Sequence, residues 1–101
     1  LAFTSLPGYF AYGVSKWGVR GMTKLGAKEL SPDNIRVVTL TPGAIETPAL
    51  VPAVRENAAA LIPLGRVGGA DEFSRVVVFI ASDDASYVSG AEFLIDGAMI
   101  C

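Results

Sequence analysis

The chain contains no histidine, and Cys101 is its one cysteine among 101 residues. The first absence removes Ser-His-Asp catalysis within these residues and most zinc sites. The second removes any internal disulfide. Proton chemistry therefore falls to Tyr, Lys, Asp or Glu. Charge is also scarce, at 18% of residues against about 25% in an ordinary soluble domain. No basic patch invites nucleic acid: the formal net charge is -2 and the calculated pI is 4.9. The longest apolar run, Val76 to Ala81, is far too short to cross a membrane. The chain opens on Leu1 rather than Met, and no basic start followed by an apolar core resembles a signal sequence. These absences lead to the expectation of a soluble, cytoplasmic fragment with no nucleic-acid partner, no membrane partner and no metal.

Apolar residues, by contrast, make up 51% of the chain. A chain of this size holds one domain at most and buries only about two-thirds of its unfolded surface. It has more apolar material than it can hide alone. The composition predicts either pairing with other chains or excision from a longer one.

Residues 1–10 read as a loop with Pro7-Gly8 as its turn. Residues 11–30 read as a helix, with Val14, Trp17, Val19, Gly21, Met22, Leu25 and Ala27 at helical spacing and Ser31-Pro32-Asp33-Asn34 ending it. Gly13, Gly18, Gly21 and Gly26 interrupt that helix. Each costs about 1 kcal/mol relative to alanine, so the reading favoured is close approach by a neighbouring helix or a cofactor. Residues 35–40 are β-branched and apolar, as suits a strand of a parallel sheet. A Pro- and Ala-rich segment, 48–62, carries a short helix after Pro52, and Pro63 to Gly69 is a loop. A second long helix spans 70–82, with Phe73, Val76, Val77 and Ile80 on one side and Asp71 and Glu72 near its positive end. Residues 92–95 form a final strand, ended by Asp96-Gly97. The fold class is α/β. Its two short strands, joined by a long helical crossover, should lie parallel with a right-handed connection.

Tyr12 and Lys16 carry the chemistry. Four residues apart on a helix, they share one face. A free tyrosine titrates near pH 10, and a nearby ammonium group favours its phenolate. Such a Tyr can take the proton of an alcohol or give one to a ketone, and Lys16 could donate hydrogen bonds to ribose hydroxyls. Taken alone the pair is a weak signal, since this spacing arises constantly by chance.

A second stretch strengthens it. Ligands of open parallel sheets bind beyond the carboxyl ends of the strands, and Thr41-Pro42-Gly43 stands at such an end. Pro42 fixes its own backbone angle, and Gly43 lets backbone approach a ligand. The peptide groups around Ile45 suit a nicotinamide carboxamide, and Thr47 adds a hydroxyl. The plainer reading is an ordinary strand-to-helix turn.

Tyr12-x-x-x-Lys16, Ile35-Arg36-Val37, Pro42-Gly43-x-Ile45-x-Thr47-Pro48, Pro63-Leu64-Gly65-Arg66, Ala81-Ser82-Asp83 and Gly90-Ala91-Glu92-Phe93-Leu94-Ile95-Asp96-Gly97 together span nearly the whole chain. In this order and spacing they resemble the classical short-chain dehydrogenase/reductase family, with the closest look to hydroxysteroid dehydrogenase-like and 3-oxoacyl-carrier-protein-reductase-like members. The resemblance implies that residues 1–101 are the C-terminal part of one Rossmann-type, doubly wound parallel sheet. It implies an NAD(P)-dependent oxidoreductase that interconverts a secondary alcohol and a ketone, acting on a small hydrophobic carbonyl or alcohol compound with NAD or NADP. Tyr12 would be the catalytic acid/base and Lys16 its partner. Tyr12, Lys16, Pro42, Gly43, Ile45 and Thr47 would meet the cofactor. Residues 48–62 would cover the substrate, and the helix at 11–30 would pack against another subunit in a homo-oligomer, a dimer or tetramer.

The sequence departs from the family in several places. No glycine-rich phosphate loop is present, and the family's catalytic Ser would fall ahead of Leu1; Ser5 lies too close to Tyr12 and reads as a loop or pocket residue. Val38 stands where many members have Asn, and Asp96-Gly97-Ala98 replaces the common Asp-Gly-Gly. These departures keep a second reading open, an inactive remnant that acts only in protein association. A sugar-nucleotide epimerase-like relative shares the Tyr-Lys pair, but the Pro42 to Pro48 stretch and the Asp96-Gly97 ending argue against it.

Overall fold

The computed structural model describes residues 6–100. In chain order these form α1 (Phe10–Leu30), a 3-10 turn (Ser31–Asp33), β1 (Thr39–Pro42), α2 (Pro52–Leu61), α3 (Ala70–Ala81), a second 3-10 turn (Asp83–Ala85) and β2 (Glu92–Ile95). β1 and β2 pair as a two-stranded sheet. The Thr39 N–H donates to Ala91 O and the Gly43 N–H to Ile95 O, both at 3.0 Å. The register rises in the same direction on both strands, so the pair is parallel. The α/β class with two parallel strands and flanking helices is the one expected. Ser5, the first half of the expected 1–10 loop and Cys101 lie outside the described residues.

The described residues fall into two compact units. The first holds those up to Thr39 together with Ala85–Phe93; the second holds Leu40–Asp84 and those from Leu94 onward.

In the first unit, α1 gives way to the 3-10 turn at Ser31, which itself keeps helical angles (φ -55°, ψ -39°), because Pro32 has no N–H with which to continue the helical ladder. Asn34 then takes the left-handed conformation, φ 58°, and its N–H closes the turn onto Ser31 O at 2.9 Å. Asn visits that region more readily than most residues. Of the positions that the apolar periodicity of α1 picks out, Ala27 is buried and the large apolar residues are not. Thr23 and Ala27 are buried, whereas Val14, Trp17, Val19, Met22 and Leu25 are exposed. The physical reason is a polar pair. The Thr23 hydroxyl donates to Val19 O at 3.2 Å and shares a second, short hydrogen bond with the hydroxyl of buried Thr39, so the burial of both is satisfied. The neighbouring helix expected close to these glycines is not found among the described residues: a Cβ at Gly26 would stand 3.7 Å from the Val37 methyls, an ordinary contact. Gly13, Gly18 and Gly21 have nothing within 4 Å among the described residues.

The same helix face is fixed by charge. The Arg20 guanidinium grips the Glu92 carboxylate through Nε at 3.2 Å and Nη2 at 3.0 Å, and Lys24 Nζ donates to Gly90 O at 2.7 Å. The hydrogen bonding of Arg20, then its charge and that of Lys24, hold the Glu92 carboxyl below the usual carboxylate range against the opposing effect of desolvation.

The first strand is displaced from its expected place. It runs over Thr39–Pro42 rather than 35–40. Val37 is already aligned, accepting from the Gly90 N–H at 2.7 Å, but its own N–H donates to the Ser89 hydroxyl at 3.2 Å. A side chain in place of a carbonyl interrupts the ladder, and regular pairing begins only at Thr39.

In the second unit, α2 opens on Pro52, where a missing N–H does no harm. The α3 helix half-buries Phe73, Val76 and Ile80, while Val77 is exposed. Ile62 is the buried apolar centre, and Gly97, with φ 65°, passes so near that a Cβ would stand 2.6 Å from the Ile62 Cγ2. The buried Asp96 carboxylate accepts from the Ala98 and Ile100 N–H groups, both at 3.0 Å, and ties the chain after β2 into a turn. Among the described residues no helix is long and apolar enough to cross a membrane.

Candidate active site

The residues singled out in the sequence divide between the units. Tyr12 and Lys16 belong to the first; Pro42, Gly43, Ile45 and Thr47 belong to the second.

Tyr12 and Lys16 both lie in the first two turns of α1 and are exposed. The i,i+4 spacing brings them together as expected: the Lys16 ammonium lies over the Tyr12 ring, 5.2 Å from its centroid, within reach of a cation–π interaction. The Tyr9 ring, which sequence reasoning missed, meets the Tyr12 ring edge-on at 6.4 Å and 71°, a favoured geometry for aromatic pairs. Ser15 Oγ donates to Tyr12 O at 2.7 Å. Tyr12 is therefore flanked by an aromatic edge and a cation.

In the second unit, Pro42 closes β1 and Gly43 follows it. A Cβ at Gly43 would stand 2.7 Å from Asp96 Cβ and 2.8 Å from Asp96 Cα. Glycine is thus required here by the protein's own backbone, where the sequence suggested room for a ligand. Ile45 forms an isolated parallel bridge with Gly68: the Gly68 N–H donates to Ala44 O at 3.0 Å, and the Glu46 N–H donates to Gly68 O at 2.8 Å. Such a bridge uses the peptide groups on either side of Ile45 and directs Ile45's own N–H and C=O to the opposite side. Thr47 is exposed and accepts the Leu50 N–H at 2.9 Å. Glu46 pairs with Arg55 of α2 at 2.8 Å.

A cavity of about 220 Å³ lies within this unit, lined by Ala44, Ile45, Ile62, Leu64, Arg66 and Glu72 among others. Of the sequence-selected residues only Ile45 lines it. Glu72, read in the sequence as a helix-dipole residue, does more. Its carboxylate accepts from Arg66 Nη1 at 2.8 Å, from Arg66 Nη2 at 2.7 Å and from the Gly69 N–H at 2.7 Å. The Arg66 hydrogen bonds, then the Gly69 N–H, lower its pKa from the usual 4.5 to about 2. The signal available in the sequence was a Glu three residues after Gly69 at a helix start, the second half of a capping box.

A family model described as enoyl-(acyl carrier protein) reductase matches residues 1–99. The chain belongs to the short-chain dehydrogenase/reductase family. This short-chain dehydrogenase/reductase sequence is 50% identical over 97 residues to the 3-oxoacyl-(acyl-carrier-protein) reductase FabG of Thermotoga maritima, covering 93% of this chain and 39% of that protein. It is 45% identical over 95 residues to a 3alpha-hydroxysteroid dehydrogenase of Mediterraneibacter gnavus, covering 91% of this chain and 38% of the relative. It is 38% identical over 98 residues to a cyclohexanol dehydrogenase of an Acinetobacter species, covering 97% and 38%. The chain thus spans 38–39% of the length of these short-chain dehydrogenase/reductase relatives.

Proposed function

We propose that this chain supplies the acid/base pair and the nicotinamide-facing loop of an NAD(P)-dependent oxidoreductase that interconverts a secondary alcohol and a ketone. The observation that carries this reading is the Lys16 ammonium 5.2 Å from the Tyr12 ring centroid on one exposed helix face. The names of the relatives, two dehydrogenases and a reductase, support it.

The second unit has donor chemistry that fits the cofactor. A carboxamide presents one acceptor and two donors, and Ile45 turns both an N–H and a C=O away from Gly68. NAD or NADP, when bound, gives or takes the hydride at the substrate carbon. Tyr12 then gives a proton to the ketone oxygen or takes one from the alcohol. Lys16, held over the Tyr12 ring, donates to ribose hydroxyls. Ile45 and Thr47 hold the carboxamide, with Pro42 and Gly43 setting the entry of that stretch. The apolar segment 48–62 suits a small hydrophobic carbonyl compound.

The exposed apolar row of α1, with Met22 71% and Leu25 65% exposed, supports assembly with a second copy. The same row favours the other reading, association without turnover. Titration with NADH fluorescence separates the two: binding and turnover by the full-length protein support the enzyme, and absence of both supports the remnant. Tyr12→Phe tests the chemistry, since turnover should disappear while cofactor binding persists.

A further inference from the structure

We propose that Arg66 and Glu72 form a clasp that positions the nicotinamide-facing stretch, acting through Gly68 on Ile45. Both are positioning residues, and the role rests on the reading of Ile45 given above. One carboxylate fixes the chain on both sides of Gly68. Upstream, Arg66 is held to Glu72 by two parallel hydrogen bonds of 2.8 and 2.7 Å; downstream, the Gly69 N–H is held to it at 2.7 Å. Gly68, between these anchors, binds Ala44 O through its N–H and the Glu46 N–H through its O. Ile45 is thus bracketed by a glycine whose own position is set from the first turn of α3. The fit is close on the side-chain side as well: a Cβ at Gly68 would stand 2.9 Å from Ile45 Cδ1.

The pair is substantially exposed, with the Arg66 side chain at 58% and that of Glu72 at 40%. Exposed ion pairs contribute little to global stability, but a bidentate Arg–carboxylate pair fixes geometry. The clasp should therefore show itself in local order and turnover far more than in the unfolding midpoint.

The test compares Glu72→Ala, Glu72→Gln and wild type in the full-length protein. The first readout is amide hydrogen exchange at Glu46 and Gly68. The second is kcat and the NADPH and NADH dissociation constants, with cyclohexanone, an acetoacetyl thioester and a 3-ketosteroid as substrates. Glu72→Ala should speed exchange at Glu46 by about tenfold with α1 amides unchanged, and should lower kcat by about tenfold or more with cofactor affinity changed less than about threefold. Glu72→Gln, which keeps an acceptor for the Gly69 N–H, should fall between. Unchanged Glu46 exchange in Glu72→Ala overturns the clasp. Faster exchange with unchanged kcat overturns its role in positioning. Wild type that reduces none of the three substrates overturns the function proposed for Ile45, and the positioning role with it, while the exchange result still reports on the clasp itself.

Discussion

Lys16 follows Tyr12 by one helical turn and carries its ammonium over the phenol ring, 5.2 Å from the centroid. Both are exposed, on the same stripe of α1 as Thr23 and Ala27, the buried residues that anchor it, but about two to three turns nearer its N-terminus. Substitution at either should therefore change chemistry with little effect on folding, since exposed positions without such anchors usually move stability by less than about 0.5 kcal/mol.

Lys16→Met is expected to reduce turnover by about 10²-fold, the lower end of what a positioned proton-transfer system supplies. Cofactor affinity should weaken as well, because the ribose loses its donor. Steady-state kinetics with a separate cofactor titration, alongside thermal unfolding, checks this.

Gly43→Ala should destabilise the protein by about 1–3 kcal/mol, the usual consequence of forcing atoms into filled space. The added Cβ would meet Asp96 Cβ at 2.7 Å and Cα at 2.8 Å, and one of those is backbone. A shift of the denaturant midpoint to lower concentration is the expected result.

Ala98 sits at φ 72°, where an L side chain crowds the following carbonyl at about 1–2 kcal/mol. Ala98→Gly removes that strain and gives part of it back through the freer unfolded chain. A net gain of about 0.5–1 kcal/mol is expected, read as a raised denaturant midpoint. The Asp-Gly-Ala ending is thus a departure with a structural consequence.

The Glu72 carboxyl is held at about 2 from its usual 4.5, first by the Arg66 hydrogen bonds and then by the Gly69 N–H, with the charges of Arg66 and Arg75 assisting. A depressed folded pKa stabilises the folded state above the unfolded value, and that contribution is lost as pH falls through the folded one. Because the pair is exposed, the margin of wild type over Glu72→Gln should be small; it should shrink progressively between pH 4.5 and about 2 and stay constant at higher pH. Denaturant midpoints of the two proteins across that range test this.

The sequence made some of this legible and hid the rest for physical reasons. The Tyr12–Lys16 contact follows from helical spacing alone, and the end of α1 follows from Pro32. The burial of Thr23 was hidden because its partner hydroxyl, Thr39, lies 16 residues away and a hydropathy pattern counts threonine as polar. β1 slipped to Thr39–Pro42 because Ser89, 52 residues from Val37, takes its N–H; no local pattern carries that. Arg66 and Glu72 are six apart across a loop, a spacing with no helical or strand meaning, so their pairing required the turn at Gly68-Gly69 to be seen. The bridge that turns the Ile45 peptide groups away from Gly68 is not legible in the loop pattern, because Gly68 lies 23 residues further along the chain.

The most direct measurement is single-turnover hydride transfer in the Tyr12→Phe variant of the full-length protein, followed by nicotinamide absorbance with cofactor affinity measured in parallel. Loss of the rate by about 10²–10⁴-fold, with NADPH or NADH still bound as in wild type, is the predicted result. A rate within a few-fold of wild type, with the variant folded and loaded, would contradict the role assigned to the Tyr12 hydroxyl.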